Sequence, residues 1–309
     1  MRAYLVRIAT KAPIYARDML ARPGWLLMFI FGRFPVFRSL YVSRWRRRAC
    51  KPPVDVAPGE ALSPRQPSDI ADELRREGLS PGLLLPQRVT RGIADFAERA
   101  PCYAYMDRAM PFLAGHHSEA EQRYGQSILV GHFLDGMMQC SAAREVVANR
   151  WIRQIASDYL GGAARLISSR LWWSFPCREA PRPDQLSIAS QGKFHYDLDD
   201  WRQVKFFFYL TDVDDRNGQH IYVRGSHRRH PLAVQFSPFV GVSRNLVERF
   251  YDRAAIVGVW GRRGSGFVED PFGLHMGALL EAGRRLVLEL SFGTSQLIPR
   301  RRYGELVPA

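Results

Sequence analysis

The segment Phe194-His195-Tyr196-Asp197 sets an imidazole and a carboxylate two residues apart. On a strand, residues i and i+2 point to the same face, so these two side chains can take neighbouring positions on one metal ion. A second imidazole from elsewhere would complete a facial triad. Such a triad leaves three coordination positions open, as non-haem iron(II) oxygenases need for co-substrate and dioxygen. The donors are nitrogen and oxygen with no thiolate, which argues against a structural zinc site. Downstream, His220, His227, His230 and His275 are available as the second imidazole. An isolated H-x-D arises easily by chance in a chain of 309 residues. The surrounding elements must therefore carry the reading.

Those elements change in texture along the chain. From about Ala164 the segments RLISSRLWWSF, VKFFFYLTDV, QHIYVRGS, GSGFVED and RRLVLELSF are short and rich in β-branched and aromatic residues. Turn signals such as Asp215-Arg-Asn-Gly218 separate them, so they read as strands. Before them the pattern is helical. A helix is expected from Ser68, taken as N-cap, to a stop at Gly78. Another follows Pro86, with Val89, Ile93 and Phe96 on one face. A third spans 142–160, with Val147, Trp151 and Ile155 on one stripe and Gly161-Gly162 ending it. Helices followed by many strands predict an α+β fold with helices packed on a sheet sandwich or barrel.

The stretch FHYDLDDWRQVKFFFYLTDVDDRNGQHIYVRGSH resembles the core of the phytanoyl-CoA dioxygenase family of iron(II)- and 2-oxoglutarate-dependent oxygenases. That core has H-x-D, an apolar strand ending in an Asp-rich turn, an N-G turn, and a strand closing in G-S-H. The counterparts here are His195 and Asp197, Val204 to Leu210, Asp212 to Asp215, Asn217-Gly218 and Gly225-Ser226-His227. Downstream, GSGFVEDPFGLHMGALLEAGRRLVLELSFG resembles the family's second half, in which a distal His precedes an Arg that opens the last core strand. The match covers roughly residues 160–298 and does not extend to residues 1–60.

The resemblance implies a double-stranded β-helix (jelly-roll) core with N-terminal helices packed on the sheet. It implies Fe(II), 2-oxoglutarate and O2 as cofactors and co-substrates. His195, Asp197 and His275 are the implied metal ligands, because His275 precedes Arg285 by the family's interval of about ten residues. Arg285 is the implied 2-oxoglutarate ligand, a guanidinium that can hold a carboxylate bidentately. Its neighbour Arg284 should face the other way, and His227 is read as a structural or outer group. The family often has a hydroxyl residue two positions after the distal His. Gly277 stands there, so any such hydroxyl must come from elsewhere. Related halogenases replace the carboxylate ligand by a small residue. Asp197 is present, which favours hydroxylation, and no catalytic group beyond the metal site is implied. Trp172, Trp173, Trp201, Phe206, Phe208 and Tyr209 are candidates for the pocket wall or for plain core.

Charge divides the chain. The net charge is +14, and residues 1–50 hold eleven Lys or Arg against the single acid Asp18, a balance of +10. The body is thus an ordinary mixed-charge globule. Within the N-terminal segment, Trp25-Leu-Leu-Met-Phe-Ile-Phe31 is too short to span a bilayer. Flanked by arginines, it could lie on an anionic membrane or pack on the domain. Three regions are therefore expected: a basic, aromatic-rich segment (1–50), a Pro-rich linker (51–67), and an oxygenase domain (68–309) with a helical part at 68–163 and a core at about 164–298. A chain beginning near Ser68 is expected to keep the site.

The four cysteines form no CxxC pair, and a cytoplasmic protein, peripheral at the inner face of the membrane, is the expectation. The substrate class is a small molecule, a glycan or a lipid-linked compound. No recognition motif accompanies the basic residues, so nucleic acid is not an expected partner. The competing reading is a non-catalytic binding protein on the same fold with a membrane-surface segment. A degenerate protein of that kind would be expected to have lost a ligand, and the motif lacks none.

Overall fold

The computed structural model describes residues 23–48, 60–134, 137–177, 180–235 and 241–295. Cys50, most of the Pro-rich linker and the end of the expected core lie outside the described residues. Two antiparallel sheets face each other. The larger has eight strands in the order β1 (Leu79–Leu84), β9 (Ser265–Glu269), β6 (Gln203–Tyr209), β11 (Arg285–Gly293), β5 (Arg165–Ser174), β4 (Val130–His132), β2 (Cys102–Ala104) and β3 (Pro111–Phe112). The smaller runs β10 (His275–Gly277), β7 (His220–Val223), β8 (Ile256–Val259). The fold is thus a mixture of helices and antiparallel sheets, as expected, and all five predicted strand segments are strands.

Period-two alternation on the large sheet places the site. On β6, Val204, Phe206 and Phe208 join Leu286, Leu288, Leu290 and Phe292 of β11 in one core cluster. That cluster is closed from outside by Ile70 and Leu74 of the helix Pro67–Glu77 and by Ile152 and Ile155 of the helix Arg150–Leu160. The alternate residues, Lys205, Phe207 and Tyr209 with Arg285, Val287 and Glu289, face the interior between the sheets and line its cavity. β6 and β11 are buried on both faces, which explains why β6 reads as a nearly continuous apolar run.

Three local expectations need correction. The helix expected from Ser68 begins at Pro67 with Gln66 as N-cap, because proline with its fixed φ suits the first helical position. Its stop is as predicted, Gly78 in the left-handed region at φ 77°. The single helix expected over 142–160 is two, Ser141–Ala148 and Arg150–Leu160. Asn149 divides them at φ −60°, ψ 120°, and its side chain accepts from the Ile152 N–H. An N-cap amide competes for the backbone that a continuous helix would need. Finally, the H-x-D segment is not a regular strand. It is held extended by single bridges, Phe194 to Val242 and His195 to His275.

The described part of the N-terminal segment packs on this body. The helix Pro23–Phe31 buries Trp25 and Met28 in a cluster with Phe194, Tyr196, Phe272, Leu274 and Met276 on the small-sheet side. From the following helix, Pro35–Arg48, Tyr41 stacks on Trp201 at 5.0 Å and the Arg38 guanidinium lies 3.7 Å from the centre of the Phe272 ring. These contacts grip both chain stretches that carry the candidate ligands. The opposite surface of the two helices leaves Leu27, Ile30, Val36, Phe37 and Leu40 exposed. Among the described residues, no helix is long and apolar enough to cross a membrane.

Candidate metal centre and its cavity

His195 and His275 meet because their backbones pair. The His195 N–H donates to the His275 carbonyl and the His275 N–H to the His195 carbonyl, both at 2.9 Å. Two residues on, the Asp197 N–H donates to the Pro271 carbonyl at 2.7 Å. The ladder brings one donor atom each from His195, Asp197 and His275 within 4.8 Å of one another. The imidazole centroids are 4.4 Å apart.

The donor chemistry fits a divalent cation. Nδ1–H of His275 donates to the Gly273 carbonyl at 2.9 Å, and Nδ1–H of His195 to the Lys193 carbonyl at 3.3 Å. A carbonyl can only accept, so Nε2 of each ring carries the lone pair. Burial lowers both imidazoles, that of His275 to about 4, so they are neutral at pH 7. Burial alone would raise the Asp197 carboxyl, but the Lys205 ammonium, through its charge and its hydrogen bond, and the neighbouring His275 and His195 rings together outweigh it and hold the group ionised below the usual carboxylate range. Two neutral imidazoles and one carboxylate are the protonation states a metal requires.

The cluster opens into a cavity of about 180 Å³ between the sheets. Arg285 enters it from the start of β11 and is buried. Its Nη2 donates to Ser174 Oγ at 3.2 Å, and among the described residues its Nε has no hydrogen-bond partner. Among the described residues, no carboxylate stands within ion-pair distance of it. A buried guanidinium without an anion is costly, and it suits the carboxylate of a ligand. Arg284 faces outward, over the Trp173 ring and 2.7 Å from Glu98. Gly277 lies beside Arg285: a Cβ there would stand 3.6 Å from Nη2. Ser174, on the facing strand, thus supplies a hydroxyl next to this guanidinium.

The other histidines separate cleanly. His227 sits away from the cluster, its Nε2 on the Arg75 carbonyl at 3.2 Å. His230 packs between Tyr196 and Phe272, each ring 4.4 Å away. His220 lines the cavity and bonds Glu269 at 2.7 Å. Burial raises the Glu269 carboxyl to about 7. Of the aromatic candidates, Trp172 and Tyr209 line the cavity, Trp173, Phe206 and Phe208 are core, and Trp201 stacks on Tyr41.

Sequence reading missed the charged groups around the cluster. Lys205 Nζ stands 2.6 Å from Asp197 Oδ2 and 3.6 Å from both Asp199 and Glu289. Arg170 holds Glu289 through two hydrogen bonds. The signal was present: Lys205 and Glu289 each interrupt an apolar run, Val204 to Phe208 and Leu286 to Leu290, and buried charges are retained only when paired.

No protein-family model and no curated protein matches the sequence. Solved structures do. The epimerase SnoN, in complex with Fe3+, alpha ketoglutarate and nogalamycin RO, superimposes with a TM-score of 0.52 at 15% identity, covering 73% of this chain and 82% of that one. EvdO2 from Micromonospora carbonacea var. aurantiaca, complexed with 2-oxoglutarate, gives 0.51 at 16% identity, covering 75% and 92%. At such identities the likeness is one of fold: this chain has the helix-and-antiparallel-sheet fold on which SnoN and EvdO2 are built.

Proposed function

We propose that the protein is an Fe(II)- and 2-oxoglutarate-dependent oxygenase, related to the phytanoyl-CoA dioxygenase family, that hydroxylates an unactivated C–H bond. On this reading the two sheets form a double-stranded β-helix. The observation that carries it is the convergence, inside one cavity, of the His195, Asp197 and His275 donor atoms and of an anion-seeking Arg285. Arg285 binds the far carboxylate of 2-oxoglutarate and thereby orients the keto acid toward the three ligands. The Nδ1–H bonds of His195 and His275 keep each Nε2 aimed at the metal. Phe207, Trp172 and Val287 keep part of the cavity wall apolar and exclude water. The bound iron would supply dioxygen activation coupled to decarboxylation of 2-oxoglutarate to succinate and carbon dioxide.

The substrate is a small molecule, a glycan or a lipid-linked compound. Anaerobic loading with Fe(II), then exposure to air with 2-oxoglutarate, tests the class: slow succinate release without substrate is expected, and none with Asp197→Ala. Mass spectrometry of the turned-over substrate tests the outcome. A gain of one oxygen supports hydroxylation, whereas an unchanged mass with altered retention would replace it by epimerisation, the reaction named for SnoN.

A contact with anionic membrane belongs to the same proposal. Leu27, Ile30 and Leu40 are exposed within the segment 1–50, whose charge balance is +10, an arrangement that suits the headgroup layer. The full chain should float with vesicles containing anionic lipid at low salt and be released at high salt. Ile30→Glu with Leu40→Glu should stop flotation without touching the cavity. Flotation of that variant like the parent overturns the membrane contact alone.

A further inference from the structure

The Asp197 side chain can rotate, and a metal site needs it fixed. Among the described residues, one hydrogen bond reaches its carboxylate, from Lys205 Nζ to Oδ2 at 2.6 Å. Lys205 comes from the middle of β6, where all seven residues are buried, and is itself 3% exposed. Its ammonium offers three protons, and three carboxylates surround it: Asp197, with Asp199 and Glu289 at 3.6 Å. Glu289, 1% exposed, is fixed in turn by the two bonds from Arg170. A rigid chain of groups thus runs across the inner face of the large sheet, from Arg170 on β5 through Glu289 on β11 and Lys205 on β6 to Asp197.

Fold stability alone does not call for this lysine. Replacing a buried ion pair by apolar side chains of similar volume is often neutral or stabilising, and its neighbours on β6, Val204, Phe206, Phe207 and Phe208, are apolar. What the pair uniquely supplies is a fixed direction for one carboxylate oxygen at the centre. Groups that orient metal ligands in this way typically change metal affinity by about 10- to 100-fold when removed.

We infer that Lys205 is a positioning residue of the proposed metal centre: it holds one oxygen of Asp197 so that the carboxylate meets the cation in a single orientation, and Arg170–Glu289 holds Lys205. The inference rests on the metal-site reading above. Its test is anaerobic titration with Co(II), following both affinity and the ligand-field absorption band, together with the Tm of the metal-free protein. The parent chain should bind one Co(II). Lys205→Met leaves Asp197, Asp199 and Glu289 without its ammonium and should lower the metal-free Tm; at a temperature where it stays folded it should lose about 10- to 100-fold in affinity with a displaced band, and Lys205→Arg should recover part of both. Parent-like affinity and band in Lys205→Met overturn the inference and leave the metal site standing. Failure of the parent chain itself to bind Co(II) overturns the metal-site reading. Should Lys205→Met not fold, Glu289→Gln carries the test: it keeps the Lys205–Asp197 pair but releases its anchor. A smaller loss and a shifted band are then expected, and an unchanged titration overturns the proposal.

Discussion

Arg285 gives the sharpest quantitative test of the proposed co-substrate site. The residue is 5% exposed, and among the described residues its Nε has no partner and its side chain makes one hydrogen bond, to the neutral Ser174 hydroxyl. Burial lowers its pKa from the ordinary guanidinium value, the direction expected for a cation stripped of water without a counter-ion. A dicarboxylate arriving here forms charge-assisted bonds that the empty cavity lacks. Losing them in Arg285→Ala should weaken 2-oxoglutarate by roughly 2–4 kcal/mol, or roughly 30- to 700-fold in Kd at about 1.4 kcal/mol per tenfold. Arg284→Ala removes an outward group whose partner is the half-exposed Glu98, an ion pair of about 0–1 kcal/mol that does not touch the cavity. Anaerobic calorimetry of 2-oxoglutarate binding to the Co(II)-loaded protein reads both variants. The metal-free Tm of Arg285→Ala supplies a second, independent readout. Deleting a buried cation without an anion should leave it unchanged or raised, since the desolvation cost goes with the side chain. An Arg284→Ala loss exceeding that of Arg285→Ala would refute the strand register. An unchanged Kd in Arg285→Ala would refute the co-substrate site.

Further outcomes follow from the same geometry. His195→Ala, Asp197→Ala and His275→Ala should each abolish Co(II) binding at an unaltered circular dichroism spectrum, whereas His227→Ala should bind normally; the opposite ranking of His275 and His227 would reassign the third ligand. Co(II) affinity should decline only at a pH below 6.5, because burial lowers both His195 and His275, the latter to about 4; a decline centred at 6.5 would contradict the buried, neutral imidazoles. Metal-free stability should fall as pH drops from about 6.5 towards 4, because the unfolded chain binds protons that His132, His220 and His230 refuse down to about 3 and His275 down to about 4. Glu269, raised to about 7, acts in the opposite sense below 7, as does Asp200, also raised by burial, two carboxyls against these four imidazoles. Removing residues 1–59 should cost solubility or the metal site, because Trp25 and Met28 each contribute roughly 1.5–3 kcal/mol of burial over Phe194 and Phe272; a shortened chain with parent Tm and Co(II) affinity would show the arm to be an accessory.

How much of this was legible in the sequence depends on the range of the interactions involved. β5, β6, β7, β9 and β11 announce themselves by local texture, and Gly78 and Gly161 by the left-handed backbone that ends a helix. The opposite facing of Arg284 and Arg285 follows from strand alternation. The division at Asn149 turns on one side-chain amide taking a backbone proton, a competition that apolar periodicity does not register. β10 is three residues long, so His275 was legible only through the family resemblance and its interval to Arg285; local texture does not carry its backbone pairing with a residue eighty positions away. The polar chain behind the centre is the deepest case. Nothing local ties Arg170 to Glu289 or Lys205 to Asp197, yet each is conspicuous once charge is weighed against context. Lys205 is one of four lysines in a chain that otherwise uses arginine, and it stands amid Val204, Phe206, Phe207 and Phe208. A compact ammonium can sit among three carboxylates where a planar guanidinium would spread past them. The choice of lysine at this position therefore bears on the geometry of the centre, and a charged residue inside an apolar strand is where a sequence reading of such folds should look after the ligands themselves.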